Sequence, residues 1–280
     1  MQQNTQEWLD FRRNKIGASD ASCIMGISPY KTAFQLWEEK VFGKEQEQNG
    51  AMMRGHYMEE AARSEFEKQT GISVMPKIVV SAERPWQMAS LDGISFDGSI
   101  FVEIKCPSKE VHKMAENGVI PDHYNAQMQH QMSVLNLQEG LYFSFDGKKG
   151  KIVTIKREEF YIEEMLEEEE KFYECMKNQI APVLSDKDYV FREDKEWNEL
   201  AKEWVELSAY IKSMEANEEE LRAQLIAYAN GKSTKGAGVR VTRSLSRGMV
   251  DYKAIPQLMG VNLDSYRKPA SERWTLASCK

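Results

Sequence analysis

Three charged side chains, Asp92, Glu103 and Lys105, interrupt the otherwise apolar stretch LDGISFDGSIFVEIKCP at 91–107. Asp97-Gly98 is a turn signal between strand-forming residues, so the stretch reads as a β-hairpin with that pair as a two-residue loop. Counting outward sets Phe96 opposite Ser99, Ser95 opposite Ile100, and Asp92 opposite Glu103. Residues directly opposed across an antiparallel pair hold their β-carbons about 4.5–5.5 Å apart. Lys105, two residues beyond Glu103, shares that face, while Val102 and Ile104 point the other way. Opposed carboxylates repel unless something bridges them. A hard divalent cation such as Mg²⁺, which takes few carboxylates and several waters, is the natural bridge. A lysine beside it can orient or deprotonate a water, or stabilise charge building on a phosphoryl oxygen. The plainer alternative is an exposed polar face on which Lys105 salt-bridges a carboxylate.

The flanking sequence must hold this hairpin in place. Helices are expected over 5–13, with Thr5 as cap, and over part of 16–26, capped by Ser19 or Asp20 and ended by Gly26. Further helices are expected in 28–43 and over 52–71. Strands are expected at 73–81, 87–96 and 99–107, a helix over 122–136, and strands at 141–145 and 151–157. The segment 158–180 reads as a long acidic helix, with EEMLEEEE (163–170) as its solvated face and Ile162, Met165, Leu166, Phe172 and Met176 as its inner one. This order gives an α+β fold, a central mixed sheet flanked by helices. Beyond it, Trp197, Leu200, Trp204, Leu207, Ile211, Met214, Leu221, Leu225 and Tyr228 recur at spacings of three and four, broken only at Glu218. A helix packed on the core or folded into a hairpin is expected there, ahead of an intermolecular coiled coil. The expected division is a core at 1–185, a helical extension at 186–230 and a small β-containing segment at 231–280.

Four motifs follow one another in order around the charged hairpin. EWLDFRRNKIGASDASCIMGISPY carries W-x-x-x-R and I-x-A-S; RGHYMEEAA carries G-x-x-x-E; the hairpin carries D…ExKCP; and DHYNAQMQHQMSVL carries Y-x-x-Q-x-Q. Together they resemble the lambda-exonuclease-like, YqaJ-type viral recombinase family of the PD-(D/E)xK nuclease superfamily. The resemblance implies a restriction-endonuclease-like core, to which the residues after Pro182 add a C-terminal helical and β extension. It implies that Asp92, Glu103, the carbonyl of Ile104 and Glu59 hold two Mg²⁺ ions, for which Mn²⁺ substitutes. Lys105 would position the attacking water, supported by Gln127 with Tyr124 nearby, and Arg12 and Ser19 would bind the phosphate at a DNA end. It further implies degradation of linear duplex DNA from the 5′ end to leave a 3′ strand, a ring-like homotrimer, and a single-strand annealing protein as partner in phage or prophage recombination. An endonuclease of the same superfamily and a non-catalytic DNA-end binder are the alternatives.

The residues themselves leave choices open. Arg12 shares a helix face with Trp8 and can grip phosphate through two N–H groups, or simply be solvated. Ser19 suits an anion or a plain helix cap. Glu59 and Glu60 are adjacent and only one can face inward; Gln127 and Gln129 compete in the same way, with the motif favouring Gln127. His56 is expected at the surface or behind the metal ligands.

Composition sets the outer limits. The 280 residues carry a net charge of −7 with 41% hydrophobic residues, enough for a packed core and against a protein coated in basic surface. Cys23, Cys106, Cys175 and Cys279 are scattered with no CxxC pair, which fits a reducing compartment and speaks against a zinc ribbon. The polar start and the lack of a membrane-length apolar run lead to the expectation of a cytoplasmic protein of a bacterial host, with no membrane contact. Lys232, Lys235, Arg240, Arg243 and Arg247 form the one basic cluster, read either as a nucleic-acid or acidic-partner contact or as a merely soluble tail.

Overall fold

A computed structural model describes residues 5–43, 50–244, 255 and 261, with side chains from Tyr57 onward in the helix that begins at Gly50. The chain divides into two compact units, Met1–Tyr189 and Val190–Lys280.

The first unit is built on a six-stranded mixed sheet. Strands β2 (Val74–Val80), β3 (Gln87–Ser95) and β4 (Phe101–Lys105) run antiparallel in succession; β5 (Glu139–Phe145) joins β4 in parallel and β6 (Gly150–Lys156) closes antiparallel. A two-residue β1 (Ile16–Gly17) pairs in parallel with the start of β3. The β3–β4 register is the one expected: Gly93 opposes Val102 and Ile94 opposes Phe101, which sets Asp92 against Glu103. The loop differs. Ser95 and Ile100 form the last backbone pair, and 96–99 make a four-residue loop with Gly98 at φ +75°. The Asp97 carboxylate explains the difference, because it accepts from the Ser99 N–H and both serine hydroxyls and so takes the place of a further ladder pair. Gly93 must lack a side chain, since a Cβ there would lie 2.7 Å from Val74 and 2.8 Å from Val102.

Helices cover both faces of this sheet. α1 (Gln6–Arg13) starts at Thr5, whose hydroxyl accepts the Trp8 N–H. A short helical turn leads into α2 (Ala21–Ile24), and α3 (Ala33–Phe42) opens on a Thr32/Gln35 capping box and ends at Gly43 in the left-handed region. Neither Ser19 nor Asp20 caps α2 through its side chain, contrary to expectation: Ser19 accepts from Arg12, and the Asp20 carboxylate is spent on Arg12, Lys40 and the Gly17 N–H. α4 (Gly50–Thr70) lays Ala62 and Phe66 on one sheet face, against Val102, Ile104 and Phe143. α6 (Asp122–Leu135) packs Met128 and Met132 on the other, against Phe101 and Tyr142. Each of those buried methionines contributes roughly 1.5–3 kcal/mol of apolar burial. Between them, α5 (Lys109–Glu116), capped by Ser108, is a helix that the sequence reading lacked.

α7 (Glu159–Asn178) corrects the reading of its acidic run. Glu169 is not on a solvated face: it is buried, accepting from Gln87 Nε2 at 3.1 Å and meeting His130 Nδ1 at 2.6 Å. His130 Nε2 meets the Met88 carbonyl at 2.9 Å, so both ring nitrogens face acceptors. Burial works against the imidazolium, but the Glu169 carboxylate outweighs it and holds the His130 pKa above its usual value. Glu169 lies four residues after Met165 and seven after Ile162, on the same stripe, so helical period rather than composition places it inside.

In the second unit, α8 (Lys195–Tyr228) is one continuous helix with no buried residue, opened by an Asp194 cap. β7 (Thr234–Gly236) and β8 (Val239–Val241) form a separate two-stranded hairpin. Among the described residues Cys23, Cys106 and Cys175 are free thiols, and no helix is long and apolar enough to cross a membrane.

Candidate active site

Asp92, Glu103 and Lys105 stand together on the sheet face that α6 covers. Glu103 is 1% exposed, and its charge is satisfied by three donors. Gln127 Nε2 donates to Oε1 at 2.6 Å, Lys105 Nζ pairs with the same oxygen, and Gln131 Nε2 donates to Oε2. Burying a carboxylate without such donors carries a large desolvation cost. Asp92 is half-buried and accepts the Ile104 N–H at 2.8 Å. Burial, then the Glu103 charge, push its pKa up to about 8, against the opposing pull of Lys105 and the Ile104 N–H. For Lys105, burial acts against the ammonium, but Glu103 and Asp92 outweigh it and raise its pKa. The ammonium also sits 5.5 Å above the centre of the Tyr124 ring, so Tyr124 shapes the position of Lys105.

Glu59 and not Glu60 turns inward. Glu60 is exposed, whereas Glu59 pairs with Arg63 at 2.6 Å, and Arg63 Nε donates to the Asp92 carbonyl at 3.0 Å. The Glu59 charge adds to the repulsion felt at Asp92. Gln129 drops out of the site; its amide bonds the Lys156 carbonyl and the Glu158 N–H, tying α6 to the start of α7. Gln131, which the sequence reading passed over, takes its place. Lying four residues from Gln127, it shares that helix face, and this spacing was the available signal. Arg63 was likewise unforeseen, four residues after Glu59. The side chain of His56 lies outside the described residues.

Arg12 and Ser19 are brought together as a second cluster. Arg12 Nη2 donates to Ser19 Oγ at 2.8 Å and to Asp20 Oδ1 at 2.7 Å, while its guanidinium lies 5.4 Å from the Trp8 ring centre. Burial works against the Asp20 carboxylate, but Arg12, Lys40 and the Gly17 N–H outweigh it and hold its pKa well below the usual range. Arg12 is therefore aimed from behind. Its Nε and Nη1 groups make no hydrogen bond among the described residues, and Ser19 is exposed.

Do these residues suit a divalent cation? Among the described residues no group of three His, Cys, Asp or Glu side chains is gathered at metal-binding geometry, and Glu59 is paired with Arg63. The donors that are present, Asp92, Glu103 and the Ile104 carbonyl, are hard oxygens of the kind Mg²⁺ and Mn²⁺ prefer. The raised pKa of Asp92 comes first from burial and then from the neighbouring Glu103 charge, and a cation bound there would oppose both. The set fits a divalent cation.

Residues 7–138, which hold all four motifs, match the family model of the YqaJ-like viral recombinase domain. Over 174 residues the chain is 32% identical to the uncharacterized protein YqaJ of Bacillus subtilis (strain 168), covering 60% of this chain and 54% of that protein. The chain thus spans about half the length of that curated relative. The crystal structure of an alkaline exonuclease from Laribacter hongkongensis superposes with a TM-score of 0.56 at 27% identity, over 63% of this chain and 94% of that one. The same exonuclease in complex with dAMP gives a TM-score of 0.56 at 26% identity, with the same coverage.

Proposed function

We propose that this chain is a divalent-metal-dependent exonuclease that hydrolyses DNA phosphodiester bonds, working along linear duplex from the 5′ end and leaving a 3′ single strand. The observation that carries the reading is the opposed pair Asp92 and Glu103, with Lys105 on the same sheet face, in a chain similar to an alkaline exonuclease. A DNA-binding scaffold has no use for two carboxylates held in repulsion.

In this reading Asp92, Glu103 and the Ile104 carbonyl hold Mg²⁺, with Mn²⁺ as substitute, and Glu59 bears on the ion or its waters. When bound, the cation neutralises the carboxylates, polarises the phosphoryl oxygen and lowers the pKa of a coordinated water. Lys105, as an ammonium, orients the nucleophilic water and stabilises charge on the phosphate rather than taking a proton. Gln127 and Gln131 hold the two Glu103 oxygens in place, and Tyr124 supports Lys105. Arg12 and Ser19 grip a terminal 5′ phosphate, with Asp20 fixing the guanidinium. The family resemblance also supports a ring-shaped homotrimer and a single-strand annealing partner. A solution mass equal to one chain would remove the trimer.

One gel tests the activity: end-labelled linear duplex and a closed circle, with Mg²⁺ or EDTA, for wild type and Lys105→Ala. Shortening of the linear DNA from its 5′ ends in Mg²⁺ alone, an intact circle, and a rate at least about 100-fold lower in the variant are expected. Glu103 keeps two amide donors in that variant, so folding and DNA binding persist. Linear DNA left intact by wild type would sink the reading, and cutting of the circle would convert it to an endonuclease.

A further inference from the structure

The β7–β8 hairpin of the second unit carries a charge arrangement that the catalytic reading does not use. Its loop is Ala237-Gly238, both at positive φ (+47° and +79°), the geometry of a tight two-residue turn. The register then pairs Thr234 with Val241, Lys235 with Arg240 and Gly236 with Val239. Two cations are thus directly opposed on one face, where like charges destabilise. Lys232 and Arg243 stand at the base, and all four side chains are exposed with no acidic partner among the described residues. A lone two-stranded hairpin is marginal in water, and although Arg243 closes its base through its N–H to Ser233 Oγ and its Nη1 to the Gly231 carbonyl, the opposition of Lys235 and Arg240 adds a cost.

The surrounding sequence sharpens the point. The chain has 44 acidic residues and a net charge of −7, yet 221–250 contains no Asp or Glu and six cations: Arg222, Lys232, Lys235, Arg240, Arg243 and Arg247. At the average density of the chain, about five acids would fall in such a stretch, so the segment is a basic block on an acidic molecule. Apart from Val239 and Val241, the residues that separate the cations between Lys232 and Arg243 are small or hydroxylic, Ser233, Thr234, Gly236, Ala237, Gly238 and Thr242, which lets a backbone approach closely. No aromatic or long aliphatic anchor of the kind protein interfaces rely on lies in 231–238.

We propose that the β7–β8 ribbon is a DNA-backbone contact separate from the catalytic residues, in which phosphates relieve the Lys235–Arg240 opposition. The proposal rests on the reading that this chain acts on DNA. A two-stranded ribbon is narrow enough for the major groove of a duplex, and the cations can equally follow a single strand. Carried on the same chain as the nuclease unit, the ribbon raises the local DNA concentration around it.

Fluorescence anisotropy of the full chain in EDTA, with a labelled duplex and a labelled single strand over a salt series, tests this. Replacing both cations (Lys235→Gln with Arg240→Gln) is expected to weaken binding about tenfold and flatten the salt dependence by about two phosphate contacts. Lys235→Glu separates charge from folding: it places opposite charges across the ribbon, which favours the hairpin, yet it must still weaken DNA binding. Single-turnover cleavage at saturating protein stays unchanged in both variants. Equal affinity and equal salt slope in wild type and variants would overturn the proposal. So would lost binding to a polyglutamate probe with DNA binding intact. Failure of the nuclease reading looks different, because wild type would bind DNA and not cut it in Mg²⁺.

Discussion

Asp92→Asn is expected to stabilise the metal-free protein while destroying its activity, and the size of the effect follows from the site. The Asp92 carboxyl, ordinarily near 3.8, is pushed up to about 8 by burial and by Glu103. An acid whose folded pKa lies above its unfolded one binds its proton more tightly when folded, so stability is lost as pH rises from the lower value towards the higher. Between roughly pH 5.5 and 7.5 the unfolded carboxyl is ionised and the folded one still protonated. Each unit in that window costs about 1.4 kcal/mol, so at most about 3 kcal/mol. Asp92 is half-buried, and water screening reduces the observable change to about 1–2 kcal/mol. Asparagine still accepts the Ile104 N–H and adds a donor towards Glu103, so no compensating loss is expected.

The assay is thermal unfolding in EDTA at the two pH values, repeated with Mg²⁺. Without metal, the variant should gain roughly 2–8 °C over wild type on going from the lower pH to the higher. Mg²⁺ should raise the melting temperature of wild type by mass action and leave the variant almost unmoved. A variant less stable than wild type near neutral pH in EDTA, or a gap that ignores pH, would show that Glu103 does not act on Asp92 as argued.

The remaining predictions concern the supports. Gln131→Leu strips the donor from Glu103 Oε2, which should cost about 1–3 kcal/mol in a urea melt. It should also weaken Mn²⁺ binding measured by calorimetry by about 10–100-fold, whereas an unchanged metal affinity would reduce Gln131 to a packing residue. Arg12→Ala should remove the preference for 5′-phosphorylated over unphosphorylated duplex, by about tenfold or more in initial rate. Equal wild-type rates on the two ends would remove that role.

Much of the site was legible because it depends on short-range rules. A Asp-Gly turn signal and a period of two were enough to oppose Asp92 and Glu103, and the structure keeps that register. The loop size was not legible, since it turns on which N–H the Asp97 side chain takes. Gln131 and Glu169 escaped for a shared reason. Both are polar residues on stripes that helical spacing marks as inward, and each faces in because a partner from another element waits there, Glu103 for one and His130 for the other. Periodicity can nominate such a residue, but only the tertiary fold supplies its partner. The two-residue β1 is too short to give a periodic signal, whereas α5 was legible in principle from its Ser108 cap and the inward spacing of His112 and Ala115.

Two aspartates of the same unit show how the chain separates support from chemistry. Asp20 is buried among a guanidinium, an ammonium and a backbone N–H, and this excess of positive charge holds it ionised. It is a finished structure whose purpose is to aim Arg12. Asp92 has one N–H and faces a second carboxylate, so folding leaves it short of positive charge and proton-seeking. The two sites differ in what surrounds the carboxylate, and a half-buried Asp92 facing a second carboxylate is a costly feature for a fold to carry. The deficit is confined to the one place where Lys105, Gln127 and Gln131 already fix the neighbouring carboxylate. In the proposed reading, Asp92 beside the fixed Glu103 is where a cation would be held, and Asp20 holds the Arg12 guanidinium that would meet a terminal phosphate.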